Sequence, residues 1–271
     1  MYQYDPKEFL LPLVLFRDRE TQHILRVDYN GGTSTLLDIL SVLRDLRVKI
    51  ISAIVSPQTS NVKEAYIVLY VDLDNAKVDS LDSLVDKLES VKGVLGVEKC
   101  KTVYQNIIVN TLVKPMITAG ERAIVNHARG IAKVLEYLYS RFPVGGKALV
   151  YYLGYIAGTK LVDFAKKISD VSNPHTLLEL SLSILQTLGY GEFEIEKYSE
   201  EEGKVRVVVD VRDSMECEVV KGVKSKPYSQ LIRGVLAGVV SRIFIGRKIT
   251  CNEVKCIAIG NPYCQFVIEG K

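Results

Sequence analysis

The chain has 271 residues, of which 48% are hydrophobic and 25% charged, and its net charge is +3. These values are ordinary for a globular protein, and the charge is too small to indicate a nucleic-acid partner. Because no run of 18 or more apolar residues occurs, the sequence predicts no membrane-spanning helix. The first residues lack the basic region of a signal peptide, so we expect a cytoplasmic protein whose thiols stay reduced.

The first part of the chain, residues 1–108, has a pattern of its own. Hydrophobic periodicity predicts a strand at 24–28, a helix after the turn at 30–34, strands at 48–56 and 65–72, a helix at 80–91 and a strand at 94–103. The order βαββαβ gives an antiparallel sheet with two helices on one face, which is a ferredoxin-like arrangement. An apolar run at 10–16 is expected to add a further strand.

This pattern resembles an ACT domain, a regulatory module that binds a ligand or forms dimers, over residues 21–105. The resemblance rests on the first strand, the turn at Gly31 and Gly32, and the helix that follows. It implies that an amino acid binds near Asn30 and Gly31, because the free N–H groups of a helix start can bind a carboxylate. The alternative is a tight turn that uses glycine only for its backbone angles.

Residues 109–271 alternate between helical and strand patterns. The predicted elements are helices at 117–142, 148–167 and 173–188, a hairpin at 192–198 and 204–211, and a helix at 227–244. We therefore expect an α+β domain in which helices pack on a small antiparallel sheet. Two of these helices carry glycines four residues apart, at 154 and 158 and at 234 and 238, and we expect them to cross closely.

Cysteines are concentrated in the last 21 residues. Cys251, Cys256 and Cys264 surround a Gly-Asn-Pro turn, and Cys217 precedes them in an acidic patch. If 248–259 and 263–268 form a hairpin, Cys256 and Cys264 are directly opposed, with Cβ atoms about 4.5–5.5 Å apart. That spacing suits two ligands of one tetrahedral zinc or a strained disulfide, and a reducing compartment favours the metal.

The pattern Glu253-x-x-Cys256-x-x-x-Gly260-x-x-x-Cys264-x-Phe266, preceded by the glycine-rich helix, resembles the 4-vinyl-reductase-type domain, a small-molecule-binding module. The resemblance covers residues 110–271. It implies a structural zinc held by Glu253, Cys256, Cys264 and one further cysteine. In one relative pattern the fourth ligand lies just before the glycine-rich helix, where this chain has no cysteine at 227–229, and Cys217 is the available substitute.

The implied ligand set raises two questions. Residues 253 and 256 point to opposite faces of a regular strand, so a shared ion requires a bulge or bend between them. Cys251 competes with Glu253, because it lies two residues away on the same face.

The resemblance implies a sensor or regulatory protein that binds an apolar or aromatic small molecule. We expect an apolar pocket between the helices at 117–142, 148–167 and 227–244, with Tyr151, Tyr155 and His127 as its polar groups. The alternative is that the tyrosines belong to the core.

Two other functional classes stay open. The resembled domain is akin to subunits of vesicle-tethering complexes, which suggests a dimeric scaffold. It is also named from a chlorophyll-pathway reductase, but the sequence shows no nucleophile and base in order and no hydride-cofactor motif. A homodimer is expected in either case, because the strand at 65–72 is apolar on both faces and an open sheet face must be covered.

Overall fold

The computed structural model describes residues 11, 13–30, 32–56, 64–113, 117–118, 120–201 and 203–271. The chain divides into two compact units, Met1–Thr118 and Ala119–Lys271. Helices and antiparallel sheets occur in both, so the predicted α+β class is confirmed. None of the helices in the described ranges is long and apolar enough to cross a membrane.

The first unit is built around a four-stranded antiparallel sheet. Its elements are β1 (Val14–Phe16), β2 (Gln22–Asn30), α1 (Thr33–Asp45), β3 (Lys49–Val55), β4 (Glu64–Asp72), α2 (Leu81–Glu89), β5 (Val94–Lys99), β6 (Val103–Tyr104), β7 (Ile107–Val109) and β8 (Ile117–Thr118). The sheet order is β3-β4-β2-β5, which is the ferredoxin-like order expected for βαββαβ, and β1, β7 and β6 form a second small sheet.

The alternation along β4 separates two cores. Ile67, Leu69 and Val71 pack against the buried side chains of α1 and α2. On the other face, Val68 and Tyr70 are fully buried with Ile108 of β7 and Leu112. The expectation that this second face stays open for a homodimer is therefore wrong, because segments of the same unit cover it.

The second unit packs helices on another antiparallel sheet. Its elements are β9 (Glu121–Arg122), α3 (Ala128–Arg141), α4 (Gly145–Ile168), α5 (Pro174–Thr187), β10 (Glu192–Glu201), β11 (Lys204–Arg212), α6 (Leu231–Ile243), β12 (Ile249–Lys255) and β13 (Cys264–Gly270), with short 3-10 turns at Glu218–Val220 and Ile257–Ile259. The sheet order is β10-β11-β13-β12.

Local chemistry explains where the helices begin. The Asn173 side chain accepts a hydrogen bond from the Thr176 amide at 3.0 Å, and Pro174 follows, as expected for the start of α5. The helix predicted from 117 begins only at Ala128. Gly120 has a φ of +81°, which a right-handed helix cannot accommodate.

The predicted crossing of the two glycine-bearing helices is confirmed. A Cβ atom added to Gly158 of α4 would lie 2.1 Å from the carbonyl oxygen of Val235, and one added to Gly238 of α6 would lie 2.1 Å from that of Tyr155. The two backbones therefore touch, and no side chain fits between them. This contact fixes α6 on α4 and with it the segment that leads into α6, where the candidate site lies.

Candidate metal centre

A β-bulge near the end of β12 brings two predicted ligands together. Glu253 pairs with Phe266 of β13, and the next pair is Lys255 with Gln265, so the register shifts by one residue between them. This is the bulge that a shared ion requires if residues 253 and 256 are to serve it together. Beyond it the chain makes a 3-10 turn, and Gly260, at a φ of +98°, reverses it towards Cys264.

Four candidate ligand atoms meet behind this hairpin. One atom each from Cys217, Glu253, Cys256 and Cys264 lies within 4.8 Å of the other three. The Cys217 and Cys256 sulfurs are 3.6 Å apart, and two thiolates of a tetrahedral zinc with Zn–S of about 2.3 Å would be about 3.8 Å apart. The three thiols are free and fully buried. The arrangement can hold a metal ion.

Cys251 does not join this group of described residues, although it is buried on the same strand. Its side chain lies opposite Ile268 of β13. The structure therefore places Glu253, and not Cys251, with the thiols.

Ser229 connects the cluster to the start of α6. Its hydroxyl donates to Glu253 Oε1 at 2.8 Å, and its amide donates to Oε2 of the same carboxylate at 3.0 Å. The hydroxyl also lies 3.0 Å from the sulfur of Cys217. Ser229 thus stands where the resembled pattern has a cysteine, and Cys217 supplies a thiol from another loop. The sequence names both residues but does not reveal this contact.

The protons of the cluster are distributed unevenly. The pKa of Cys256 is held well below its usual value because the thiols of Cys217 and Cys264 donate to its sulfur. That hydrogen bond raises the pKa of Cys217. The pKa of Cys264 is also raised: its hydrogen bond with Cys217 lowers it, but its bond with Cys256 and burial outweigh this. Burial raises the pKa of Glu253 to about 8. A divalent cation would replace these protons.

A second carboxylate, Glu216, was not foreseen as a site residue. It is fully buried beside Cys217 and caps α6. Its donors are the Tyr139 hydroxyl at 2.6 Å and the backbone amides of Gln230 at 2.7 Å, Leu231 at 3.1 Å and Ile232 at 3.1 Å. Burial raises the pKa of Glu216, and these four donors oppose the shift. Its position in an acidic patch is the one signal that the sequence offered.

The three residues expected to line a ligand pocket have other environments. The Tyr155 hydroxyl is 2.7 Å from that of Ser241 on α6, and Tyr151 lies under the Arg233 guanidinium, 4.8 Å from the ring centroid. Both tyrosines pack against the core, which is the role given above as the alternative. His127 is exposed at the start of α3.

The open space described in this unit lies elsewhere. A cleft of about 510 Å³ opens at the start of α3, and another of about 250 Å³ lies between α3 and the segment before α6. Neither is lined by Tyr151, Tyr155 or His127. In the first unit, Asn30 is exposed and its amide donates to Gly93 at 2.8 Å, while Gly31 lies outside the described residues.

Comparison with protein families identifies the part of the chain that holds the cluster. Residues 207–270 match the family model of the 4-vinyl reductase domain. This stretch runs from β11 to β13 and contains Cys217, Glu253, Cys256 and Cys264. No curated protein matches the chain.

Solved structures share the fold of the second unit. The phenol-responsive sensory domain of the transcription activator PoxR, crystallised with phenol, has a TM-score of 0.50 at 19% identity, over 55% of this chain and 77% of that one. A trafficking protein particle complex subunit 3 from Naegleria fowleri scores 0.41 at 15%, over 53% and 95%. A vinyl-4-reductase family protein from Methanocaldococcus jannaschii scores 0.35 at 17%, over 56% and 99%. At these identities the likeness concerns the fold alone.

Proposed function

We propose that this protein is a ligand-responsive regulatory protein whose second unit binds a small apolar or aromatic molecule and is stabilised by a structural zinc ion. The observation that carries the proposal is the convergence of Cys217, Glu253, Cys256 and Cys264 inside the stretch that matches the 4-vinyl reductase domain. The fold likeness to a phenol-responsive sensory domain supports the sensory part.

The chemistry of the donor set favours zinc. Thiolates are soft ligands that select zinc over magnesium or calcium. Three thiolates and one carboxylate fill all four positions of a tetrahedral ion and leave none for water or substrate, which is typical of a structural site. The two hydrogen bonds from Ser229 to the Glu253 carboxylate orient that ligand, as outer partners of zinc ligands do.

The ion would tie together segments that are distant in the chain. Cys217 follows β11, Glu253 and Cys256 lie at the end of β12, and Cys264 begins β13. The loop that carries Cys217 also carries Glu216, which caps α6. Zinc binding would therefore stabilise both the hairpin and the start of α6. The thiolates must stay reduced for this, so the proposal includes a reducing compartment.

Native mass spectrometry of protein purified without chelator tests the proposal. We expect one zinc per chain and, after denaturation, a co-purified small molecule. Glu253→Gln should lower the zinc content, while Cys100→Ser should not, because Cys100 is not among the described residues of the cluster. A zinc content well below one per chain would overturn the zinc proposal, and an exhaustive search for a ligand without result would count against the sensor.

A dimeric scaffold is the second candidate, and one feature of α4 favours it. Leu149, Tyr152, Leu153 and Ile156 are between 53% and 62% exposed. They follow helical spacing and form a stripe on the side of α4 away from Gly154 and Gly158. Such a stripe is typical of a surface that another chain covers. We propose that a second copy of this chain packs on it, so that the homodimer forms here and not through the first unit.

The oligomeric state tests this candidate. Light scattering during gel filtration should give a dimeric mass at micromolar concentration. Leu153→Lys together with Ile156→Lys should give the monomeric mass, and Lys166→Glu, on the same helix but outside the stripe, should leave the dimer intact. A wild-type monomer would contradict the proposal.

We also propose that the first unit is an ACT-like regulatory module that takes an amino acid near Asn30 and Gly31. The first turn of α1 supports this, since its N-cap residue Gly32 makes no side-chain cap and leaves the amides of that turn available to a carboxylate. Thermal unfolding in the presence of each free amino acid would find a stabilising ligand.

A further inference from the structure

A small cleft beside the metal centre has features that the proposed function does not yet use. It encloses about 250 Å³ between α3, the first turn of α4 and residues 224–228. The lining residues that matter here are Glu136, Tyr139, Lys147, Lys224, Lys226 and Tyr228.

The inner wall of the cleft is aromatic. The rings of Tyr139 and Tyr228 pack edge to face, with centroids 5.1 Å apart and an interplanar angle of 82°. Both side chains are buried, at 5% and 6% exposure. This wall is therefore rigid and apolar, and a planar group could stack against it or meet it edge-on.

The rim of the cleft is cationic. Lys224 is 3.4 Å from Glu136, but that carboxylate is already paired with Lys133 at 2.8 Å. Neither Lys147 nor Lys226 forms an ion pair with any residue in the described ranges. Three ammonium groups thus face one shared carboxylate, so the cleft attracts an anion.

The Tyr228 hydroxyl lacks an acceptor. It is buried, and it makes no hydrogen bond with any residue that the structure describes. Burial raises the pKa of Tyr228, so the hydroxyl keeps its proton and can donate. Buried polar groups in folded proteins nearly always have a partner. The unpaired donor therefore indicates an acceptor that enters from outside the chain.

We infer that this cleft binds a small aromatic carboxylate. Its ring would pack on the Tyr139–Tyr228 pair, and its carboxylate would lie among Lys147, Lys224 and Lys226 and accept from the Tyr228 hydroxyl. The volume suits a single-ring acid, since larger ligands use pockets of about 300–1,000 Å³. The inference rests on the proposed sensory function, because it names a site and a ligand class for it.

The two rings connect the cleft to the metal centre. Tyr228 directly precedes Ser229, which donates twice to Glu253, and the Tyr139 hydroxyl donates to Glu216 at the start of α6. A ligand that immobilises these rings would also hold the segment behind the cluster. Binding should therefore slow the release of zinc to a chelator.

Calorimetric titration of the zinc-loaded protein with benzoate tests the inference. We expect one saturable site per chain. Tyr228→Phe should weaken binding about 10-fold, because a hydrogen bond to a charged group is lost, and Lys147→Gln and Lys226→Gln should each weaken it as well. Lys166→Gln, at the far end of α4, is the matched control and should bind as the wild type does. Because the Tyr228 hydroxyl has no partner in the unliganded chain, Tyr228→Phe should not lower the melting temperature.

Two further probes separate the contributions of ring and charge. Inorganic phosphate binding as tightly as benzoate would show a plain anion site and overturn the aromatic part. Phenol binding as tightly as benzoate, and unaffected by the lysine substitutions, would overturn the anionic part.

The outcome for this cleft is separable from the outcome for the sensor. Absence of saturable benzoate binding, or binding that neither Tyr228→Phe nor the lysine substitutions weaken, overturns the cleft proposal. A zinc-loaded protein that carries a neutral apolar ligand would at the same time leave the proposed sensory function standing.

Discussion

Ser229 and Cys217 show how one substitution in a ligand pattern can be compensated by a residue elsewhere in the chain. The serine lies beside the cluster and holds Glu253, while the thiol arrives from the loop after β11, 3.0 Å from the Ser229 hydroxyl. The two positions are close enough that a sulfur at either one could reach the same ion.

This proximity predicts the result of a ligand exchange. Cys217→Ser should abolish stoichiometric zinc binding, because only two thiolates and a carboxylate remain. Adding Ser229→Cys to that variant should restore it by supplying the third thiolate from the neighbouring position. Zinc content by elemental analysis is the measurement, with Cys251→Ser as the control that keeps its zinc. A double variant as empty as the single one would contradict the proposed geometry.

The protonation of the cluster predicts a steep pH dependence. Cys256 is already a thiolate, whereas Cys217, Cys264 and Glu253 have raised pKa values and keep their protons near neutral pH. Zinc must displace about three protons, so its affinity falls as the pH falls, by up to roughly a thousandfold per pH unit. Below the Glu253 pKa of about 8, this competition is fully present.

Chelator competition at several pH values between about 6 and 8 would measure the slope. Calorimetry in buffers of different ionisation enthalpy would count the released protons directly. An affinity that does not change over this range would show that the thiols are not the ligands.

Among the elements, the crossing of α4 and α6 is the most constrained. Gly158 and Gly238 touch the backbone of the opposite helix, so Gly158→Ala should destabilise the second unit by roughly 1–3 kcal/mol through overpacking. Gly130 of α3 has no neighbour within 4 Å of an added Cβ, so Gly130→Ala should stabilise by about 0.5–1 kcal/mol. Denaturant unfolding of both variants checks the pair. Equal effects would mean that the helices do not cross this closely.

Periodic and local signals predicted most of these elements. The alternation along β4 and the glycine spacing on α4 and α6 are each read from neighbours in the sequence, and the structure agrees with both. The bulge after Glu253 followed from the geometry that a shared ion demands. The start of α3 was misplaced because the turn at Gly120 interrupts a segment with helical periodicity.

The contacts that the sequence could not reveal are those between distant loops. Glu216 reaches the first amides of α6, and Tyr228 lines a cleft with Tyr139 of α3. No spacing rule connects residues so far apart, because their proximity depends on how α3 and α6 pack. The expected pocket at Tyr151 and Tyr155 failed to appear for the same reason: the glycine contact leaves those tyrosines in the core.

The two units have separate cores, and the metal cluster belongs to the core of the second. The regulatory proposal therefore depends first on whether this cluster binds an ion with the donor set described. A ligand in the cleft beside it, and a second copy on the α4 stripe, would both act on a unit whose hairpin and α6 start are held by that ion.

X-ray absorption spectroscopy at the zinc edge of the purified protein tests this most directly. The account predicts three sulfur ligands at about 2.3 Å and one oxygen at about 2.0–2.2 Å. The Glu253→Gln variant should lose the carboxylate contribution while its residual zinc keeps the sulfurs. A first shell of nitrogen and oxygen alone, or a protein that takes up no zinc while its thiols are reduced, would contradict the account.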